Sequence, residues 1–435
     1  QERMVLAVPP EHLARLGEIC RAFDVDWTVI GRFTGDGRLR VRYRGTLVAD
    51  LDMAFLHDGW PRRTMEAEWV APSFPEPEIA TGDLTPLLLA MLSHPDVASK
   101  EEVIRRYDHE VQGATLIKPL VGAAADGPSD GVVLRPLEVE GWQGLALGVG
   151  ISPHYGRIDP YAMAWAAIDE ALRNVTAVGA DPDRVALLDN FCWGNPSLPD
   201  RLGALVRAVQ GCHDAALAYG TPFISGKDSL NNEFVDPQGQ KRSIPPTLLI
   251  SSLGIVPDVR EAVTMDLKAA GSFLYLLGET FPELGGSLYA RLHGALGNSV
   301  PLPRPESLQT MRALHRAIRA RLVRACHDLS EGGLGVTAAE MALAGRLGME
   351  LDLRALRSDA LAAEAVALFS ESSGRFLVEV APDDATAFEA KMAGCACRRV
   401  GKTTGDGRLR ILGYRGEPVA DVSVAELVRA WHGGA

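Results

Sequence analysis

The sequence predicts an α+β fold carried by tandem domains, and three observations lead there. Strand-like and helix-like segments alternate from about residue 113 to the end of the chain. Of the 435 residues, 47% are apolar and 23% charged, a balance that supports sizeable cores. The stretch TGDGRLR stands at 34–40 and again at 404–410.

The repeat extends beyond those residues. YRG and VAD follow each copy in the same order. Upstream, ERMVLAVPP matches GRFLVEVAP, so that Met4, Val5, Leu6 and Val8 align with Phe376, Leu377, Val378 and Val380. A reused Gly-Asp turn would account for TGDG alone. A co-linear match over roughly 60 residues points instead to a duplicated domain. The second copy closes a long segment, whereas the first has almost nothing ahead of it. Gln1 opens beside a strand-like run, without Met or a signal peptide. The expectation is a C-terminal piece of a longer, duplicated protein, with residues 1–60 the tail of the first copy. A small N-terminal domain borrowed from the same family is the other reading. Equivalent modules would share one strand–helix–strand pattern over 3–50 and 375–421.

The remaining elements follow in order. Residues 61–112 begin rich in Pro and Glu and read as a linker or strand-poor wrap, then as a helical stretch, PLLLAMLSHPDVASKEEVIRRYDHEVQ. A first α+β domain spans 113–265. LALGVGIS (145–152) is strand-like, and Asp159-Pro160 opens a helix as N-cap and first residue. Trp165, Ile168, Leu172 and Val175 keep helical spacing until Gly179 ends it. RVALLD (184–189) is a buried strand, 201–220 a second helix, and 221–225 and 246–256 further strands. A second domain spans 266–435, with strands at 273–277 and 321–328, a helix in VTAAEMALAGRLG and a strand in MELDL.

Composition narrows the function. The net charge is −12 with no Lys/Arg block, which argues against nucleic acid as the ligand. No apolar run is long enough to span a bilayer. Cysteines at 20, 192, 212, 326, 395 and 397 form neither a disulfide framework nor a C-x2-C pair. They read as reduced thiols of a cytoplasmic protein.

Polar clusters that follow strands are where a rigid scaffold presents chemistry. LLDNFCWGNP sets Asp189 and Asn190 at a strand end, and FISGKDSLNNE sets Gly226, Lys227, Asp228 and Ser229 at another. GKDS is no Walker A loop, because Asp follows the lysine, and it reads equally as a solvated turn or a phosphate site. Glu170 and Asn174 lie four apart in AAIDEALRN and so share a helix face. Their oxygens suit Mg2+, although a solvated face is the commoner outcome for such a pair. CHDLSEGGLG places Asp328 just past a strand, then Ser330, Glu331 and two glycines, either a ligand cradle or a tight turn. Asp130 in SDGVVLRP precedes a strand and could be only a turn residue. Brought together, Asp130, Glu170, Asn174 and Asp328 would make a hard-cation site. His109 and His154 are acid–base candidates by type alone and are not chosen.

In this order, YDHEVQG, DPYAMAWAAIDEALRN, VGADP, LLDNFCWGNP, PFISGKDSLNNE and HDLSEGGLG resemble the phosphoribosylformylglycinamidine synthase family, the synthetase of purine biosynthesis. The likeness covers essentially the whole chain, and only HD-x-S-x-GG is shared with other members of the aminoimidazole-ribonucleotide-synthetase superfamily. The resemblance implies tandem A and B domains, each present twice, with this chain holding the end of the first B (1–60), a linker (61–112), the second A (113–265) and the second B (266–435). It implies ATP-dependent amidation of formylglycinamide ribonucleotide with glutamine-derived ammonia, with Mg2+ and ATP or ADP as cofactors. By motif position, Asp189 and Gly226 would contact ATP, and Ser229 and Gln1 the substrate. Asp130, Glu170, Asn174 and Asp328 match the magnesium ligands of a second, non-turning-over nucleotide site, and Ser330 a nucleotide contact. The catalytic histidine belongs to the family's first half, so no catalytic residue is assigned here. Lys227 stands where short members carry an asparagine and receives no metal role. The implied partners are the N-terminal half, a glutaminase subunit or domain and the small-molecule substrate, with neither nucleic acid nor membrane. A selenophosphate synthetase, a thiamine-phosphate kinase or a nucleotide-binding structural half are the competing readings. The duplication and LLDNFCWGNP speak against the first two.

Overall fold

The computed structural model describes residues 3–107 and 109–433. It divides into two compact units, Gln1–Thr64 and Met65–Ala435.

The smaller unit holds a helix, Leu13–Ala22, and an antiparallel hairpin of Arg38–Tyr43 with Thr46–Asp52, bulged between Val41 and Arg42. A short helix, Met53–Asp58, follows, and the Asp52 side chain caps it by accepting from the Ala54 amide at 2.8 Å. Residues 3–9 and 25–33 have no regular structure. The expected strand–helix–strand pattern is therefore met only in part. In the second copy, Phe376–Val380 is a strand, with ladder bonds to Phe273–Leu277 on one side and Ala325–Asp328 on the other. The described residues of the small unit offer 3–9 no such neighbours, and an extended backbone without ladder partners is not held as a strand.

The larger unit is built on two sheets. The first has six strands in the order Thr115–Ile117, Val132–Leu134, Gly144–Ile151, Thr247–Val256, Val185–Cys192 and Phe223–Ser229. Only its last pair is parallel. Helices Pro160–Ala177 and Pro199–Tyr219 pack against each other, and the first lies on this sheet. Asp159 caps the first helix, its carboxylate accepting from the Tyr161 amide at 2.9 Å, as its sequence predicts. Gly150 allows the helix to lie close: a Cβ there would sit 2.0 Å from the Ala167 carbonyl oxygen. The small residues of strand Gly144–Ile151 thus face the helix, and its large ones face away. Leu147, Val149 and Ile151 are 39%, 50% and 37% exposed, an apolar face left open among the described residues.

The second sheet has seven strands: Ala325–Asp328, Phe376–Val380, Phe273–Leu277, Cys397–Thr404, Gly348–Asp352, Arg408–Leu412 and Pro418–Ser423. The buried helices Ser307–Arg319 and Gly333–Gly345 belong to this half. Residues 65–84 run along the large unit without regular structure. Their backbone is tied to Pro199 O (2.9 Å, from Glu68), Asn298 Oδ1 (2.8 Å, from Phe74), Tyr289 Oη (2.7 Å, from Ala80) and Val419 O (2.7 Å, from Leu84). The following helical stretch is broken into Thr85–Leu92 and Glu101–Ile104, and His94-Pro95 lies between them. Among the described residues, no helix is long and apolar enough to cross a membrane.

Candidate functional site

A polar cleft forms where the helix Pro160–Ala177 meets the end of strand Ala325–Asp328 and the loop 370–375. Ser152, Tyr155, Glu170, Arg173, Ser330, Glu331, Glu371 and Ser373 contribute to its lining. Glu371 organises the floor. One of its oxygens accepts from the amides of Gly332 (2.8 Å) and Leu288 (2.9 Å), and the other from Tyr155 Oη (2.5 Å).

The structure brings Asp130 and Asp328 together. Asp130 Oδ1 accepts from the Asp328 amide at 2.8 Å and faces His327 Nδ1 at 2.9 Å. His327 Nε2 in turn lies 3.0 Å from Glu340 Oε2. Asp130, His327 and Asp328 form a cluster whose ligand atoms lie within 4.8 Å of one another. Glu170 lines the cleft itself, its Oε2 accepting from the Ile151 amide at 3.0 Å. Asn174, one turn on, donates through Nδ2 to the Val149 carbonyl at 2.7 Å. Ser330 Oγ donates to Asp328 Oδ2 at 2.7 Å.

Burial and crowding set the charges. Burial, then the neighbouring Glu371, pushes Glu331 up to about 8. Burial, then Glu331 and Asp328, drives Glu170 well above the carboxylate range. Asp328 is raised by burial, against the opposing pull of Arg173. Burial lowers His327, but Asp130 and Glu340 more than offset it, and the imidazolium form is favoured. Acidic groups are crowded around the cleft, and burial with that crowding favours the protonated forms of Glu170 and Glu331. Glu170 and Glu331 on the cleft, and Asp328 and Asp130 in the cluster beside it, are hard oxygen donors of the kind Mg2+ takes.

Asp189, Gly226 and Ser229 lie elsewhere, on the last two strands of the six-stranded sheet. The sequence sets them at strand ends; in the structure both strands run on, to Cys192 and Ser229, because the two segments pair in parallel with Asp189 opposite Gly226. Asp189 Oδ1 accepts from the Lys227 amide at 3.2 Å. A Cβ on Gly226 would sit 2.4 Å from that same oxygen, so the carboxylate needs glycine beneath it. Burial raises Asp189, and the Lys227 amide partly offsets this. Lys227 Nζ donates to Ser229 Oγ. Gln1 lies outside the described residues.

Of the unchosen histidines, His154 is lowered to about 4, by burial and then by Arg291. Sequence reasoning missed Asp169, Arg173 and Glu371. Asp169 and Arg173 were visible as an i,i+4 acid–base pair in IDEALRN, which usually marks a solvated face.

Comparison with known proteins agrees with this architecture. The family model for the N-terminal domain of AIR synthase related proteins matches residues 129–256. The model for their C-terminal domain matches residues 1–44 and 269–413. Phosphoribosylformylglycinamidine synthase subunit PurL of Thermoplasma acidophilum is 32% identical over 439 residues, covering 100% of this chain and 56% of that protein. The subunit of the same name from Deinococcus radiodurans is 35% identical over 453 residues, covering 99% of this chain and 57% of that protein. The chain thus spans little more than half the length of these relatives. Thermotoga maritima PurL complexed with FGAR superposes with a TM-score of 0.60 at 18% identity, over 79% of this chain and 53% of that one, a likeness of fold. The chain belongs to the AIR synthase related family, among the relatives of phosphoribosylformylglycinamidine synthase subunits.

Proposed function

We propose that this chain is the C-terminal half of a cytoplasmic phosphoribosylformylglycinamidine synthase of purine biosynthesis. In that reaction ATP phosphorylates the amide oxygen of formylglycinamide ribonucleotide. Ammonia from a glutaminase partner then attacks the same carbon and expels phosphate, leaving the amidine. Residues 1–60 end the first B domain, 61–112 link, 113–265 form the second A domain and 266–435 the second B. The two separate matches to one C-terminal domain model support the duplication.

One observation carries this reading. The sheet that leaves Leu147, Val149 and Ile151 uncovered also carries the candidate residues on its last two strands, Ser229 on that same face and Asp189 with Gly226 on the face toward the helices. That is how half of a shared site would look, with the N-terminal half as the missing cover. Asp189 and Gly226 contact ATP there, and Ser229 orients the substrate. Aligning the repeats sets Gln1 opposite Ser373, which lines the cleft, and this supports Gln1 as a substrate contact in the first copy.

The buried cleft serves as the auxiliary site. Asp130, Glu170, Asn174 and Asp328 would hold Mg2+, and Ser330 would contact the nucleotide. When bound, the cation neutralises phosphate charge. A nucleotide-binding structural half without turnover is the second reading, favoured by the polar cleft itself.

The test is complementation. The chain alone, given ATP, formylglycinamide ribonucleotide and ammonia, should form no amidine. Addition of a separately expressed N-terminal half should restore turnover, and Ser229→Ala should then raise KM. Amidine formed by the chain alone would overturn the shared-site reading.

A further inference from the structure

Arg173 is set apart from the other side chains of the cleft. It rises from helix Pro160–Ala177 and is 4% exposed. Its Nε lies 3.2 Å and its Nη2 3.0 Å from Asp328 Oδ2. Nη2 also lies 3.3 Å from Ser330 Oγ, which itself donates to Asp328 Oδ2. One carboxylate oxygen of Asp328 is thus already claimed by a guanidinium and a hydroxyl.

The guanidinium is held in place from behind. Its Nη1 lies 2.7 Å from Asp169 Oδ2. Asp169 Oδ1 accepts from Tyr219 Oη (2.9 Å) and Ser307 Oγ (2.7 Å), and Oδ2 accepts from the Gly374 amide (2.9 Å). Asp169 is 1% exposed and bonded to three other segments, so it anchors Arg173. A unit positive charge beside Asp328 repels any second cation at the same oxygen. A buried carboxylate stripped of that charge would be strongly destabilising until another cation replaced it.

We propose that Arg173 is a built-in countercation seated on Asp328, so that a divalent cation enters the cleft in competition with the Arg173–Asp328 ion pair. The inference rests on the reading of the cleft as a metal–nucleotide site. It adds that the site has an internally neutralised state and a metal-loaded one.

The experiment titrates Mg2+ alone, by calorimetry and thermal melting, into the chain and into Arg173→Met and Arg173→Lys. Arg173→Met should bind Mg2+ at least about tenfold more tightly, because a unit charge next to the site is gone. Its melting temperature should rise more with Mg2+ than that of wild type. Arg173→Lys keeps the charge and should stay near wild-type affinity. Arg173→Met/Asp328→Asn should melt above Arg173→Met and lose the Mg2+ response. Equal half-saturation in wild type and Arg173→Met overturns the inference and leaves Arg173 a brace, with the metal reading intact. An Arg173→Met chain that neither Mg2+ nor Asp328→Asn restores to a folded state overturns it too. No Mg2+ response in any chain overturns the metal reading, and this inference with it.

Discussion

The hairpins at 34–52 and 404–423 are built alike, yet one is exposed and the other is core. Thr34 Oγ1 donates to Asp36 Oδ1 at 2.7 Å, and Thr404 Oγ1 donates to Asp406 Oδ1 at 2.7 Å. Arg38 reaches across the strands to Asp50 at 2.5 Å, and Arg408 to Asp421 at 2.7 Å. Both ladders slip at the same place, between Val41 and Arg42 and between Ile411 and Leu412. A short helix follows each, capped by Asp52 or Ser423. The burial is opposite: Leu39 and Val41 are 43% and 45% exposed, Leu409 and Ile411 fully buried. Local sequence writes the turn, the register and the bulge. It does not write the core: Arg408–Leu412 pairs with strand Gly348–Asp352, and Leu409 and Ile411 join the core of the large unit. The difference shows which features of the repeated sequence are set locally.

Core substitutions should break the symmetry most. Leu409→Ala should cost about 3 kcal/mol in denaturant unfolding, as for other fully buried leucines, whereas Leu39→Ala should cost well under about 1 kcal/mol. Equal losses would show that the first hairpin is covered after all. A smaller asymmetry is expected at the caps. Ser423 accepts from the Glu426 amide and completes a capping box, so Ser423→Ala should lower stability by about 1 kcal/mol. Asp52→Ala should leave the main melting transition unmoved, because its helix belongs to the separate small unit. A shift of that transition would contradict the division into two units.

The smallest expected difference is in titration. Asp36 is lowered to about 2 by its bonds to Arg40 and then Thr34, and Asp406 to about 2 by Thr404 and then Arg410. Both pKa values are depressed, so the stabilisation is present above the unfolded carboxylate value of about 4 and fades as pH falls through about 2. Carboxyl NMR should give matching midpoints. Midpoints more than a unit apart would show that the turn network is not set by local sequence alone.

The same division explains what the sequence made legible. Asp159-Pro160 announced its helix because a cap and a proline act on adjacent residues. Gly220 ended the next helix in the left-handed conformation, at φ 69°, for the same local reason. Asp189 reads as the last residue of its strand and GKDS as a turn or phosphate site, because the strand character beyond 189 and 225 comes from mutual pairing, not from polar composition. Arg173 was least legible of all. Its Asp169 partner is one turn away, but its burial depends on Asp328, 155 positions along the chain. Asp130 and Asp328 could be nominated by type, yet only the fold shows that one accepts from the amide of the other.

The strap over residues 65–84 bears on the order of assembly. Its bonds from Phe74 to Asn298 and from Ala80 to Tyr289 join positions 224 and 209 apart in sequence. Contacts of such separation are slow to form, since the loops they close must first be ordered. The strap would dock late, after both sheets exist, and would be absent from the folding transition state. Contacts of that kind govern how fast a protein comes apart more than how fast it forms. Loss of the Asn298 side chain should therefore speed unfolding and leave the refolding rate nearly unchanged. The lifetime of the folded chain would then rest on a segment with no regular structure.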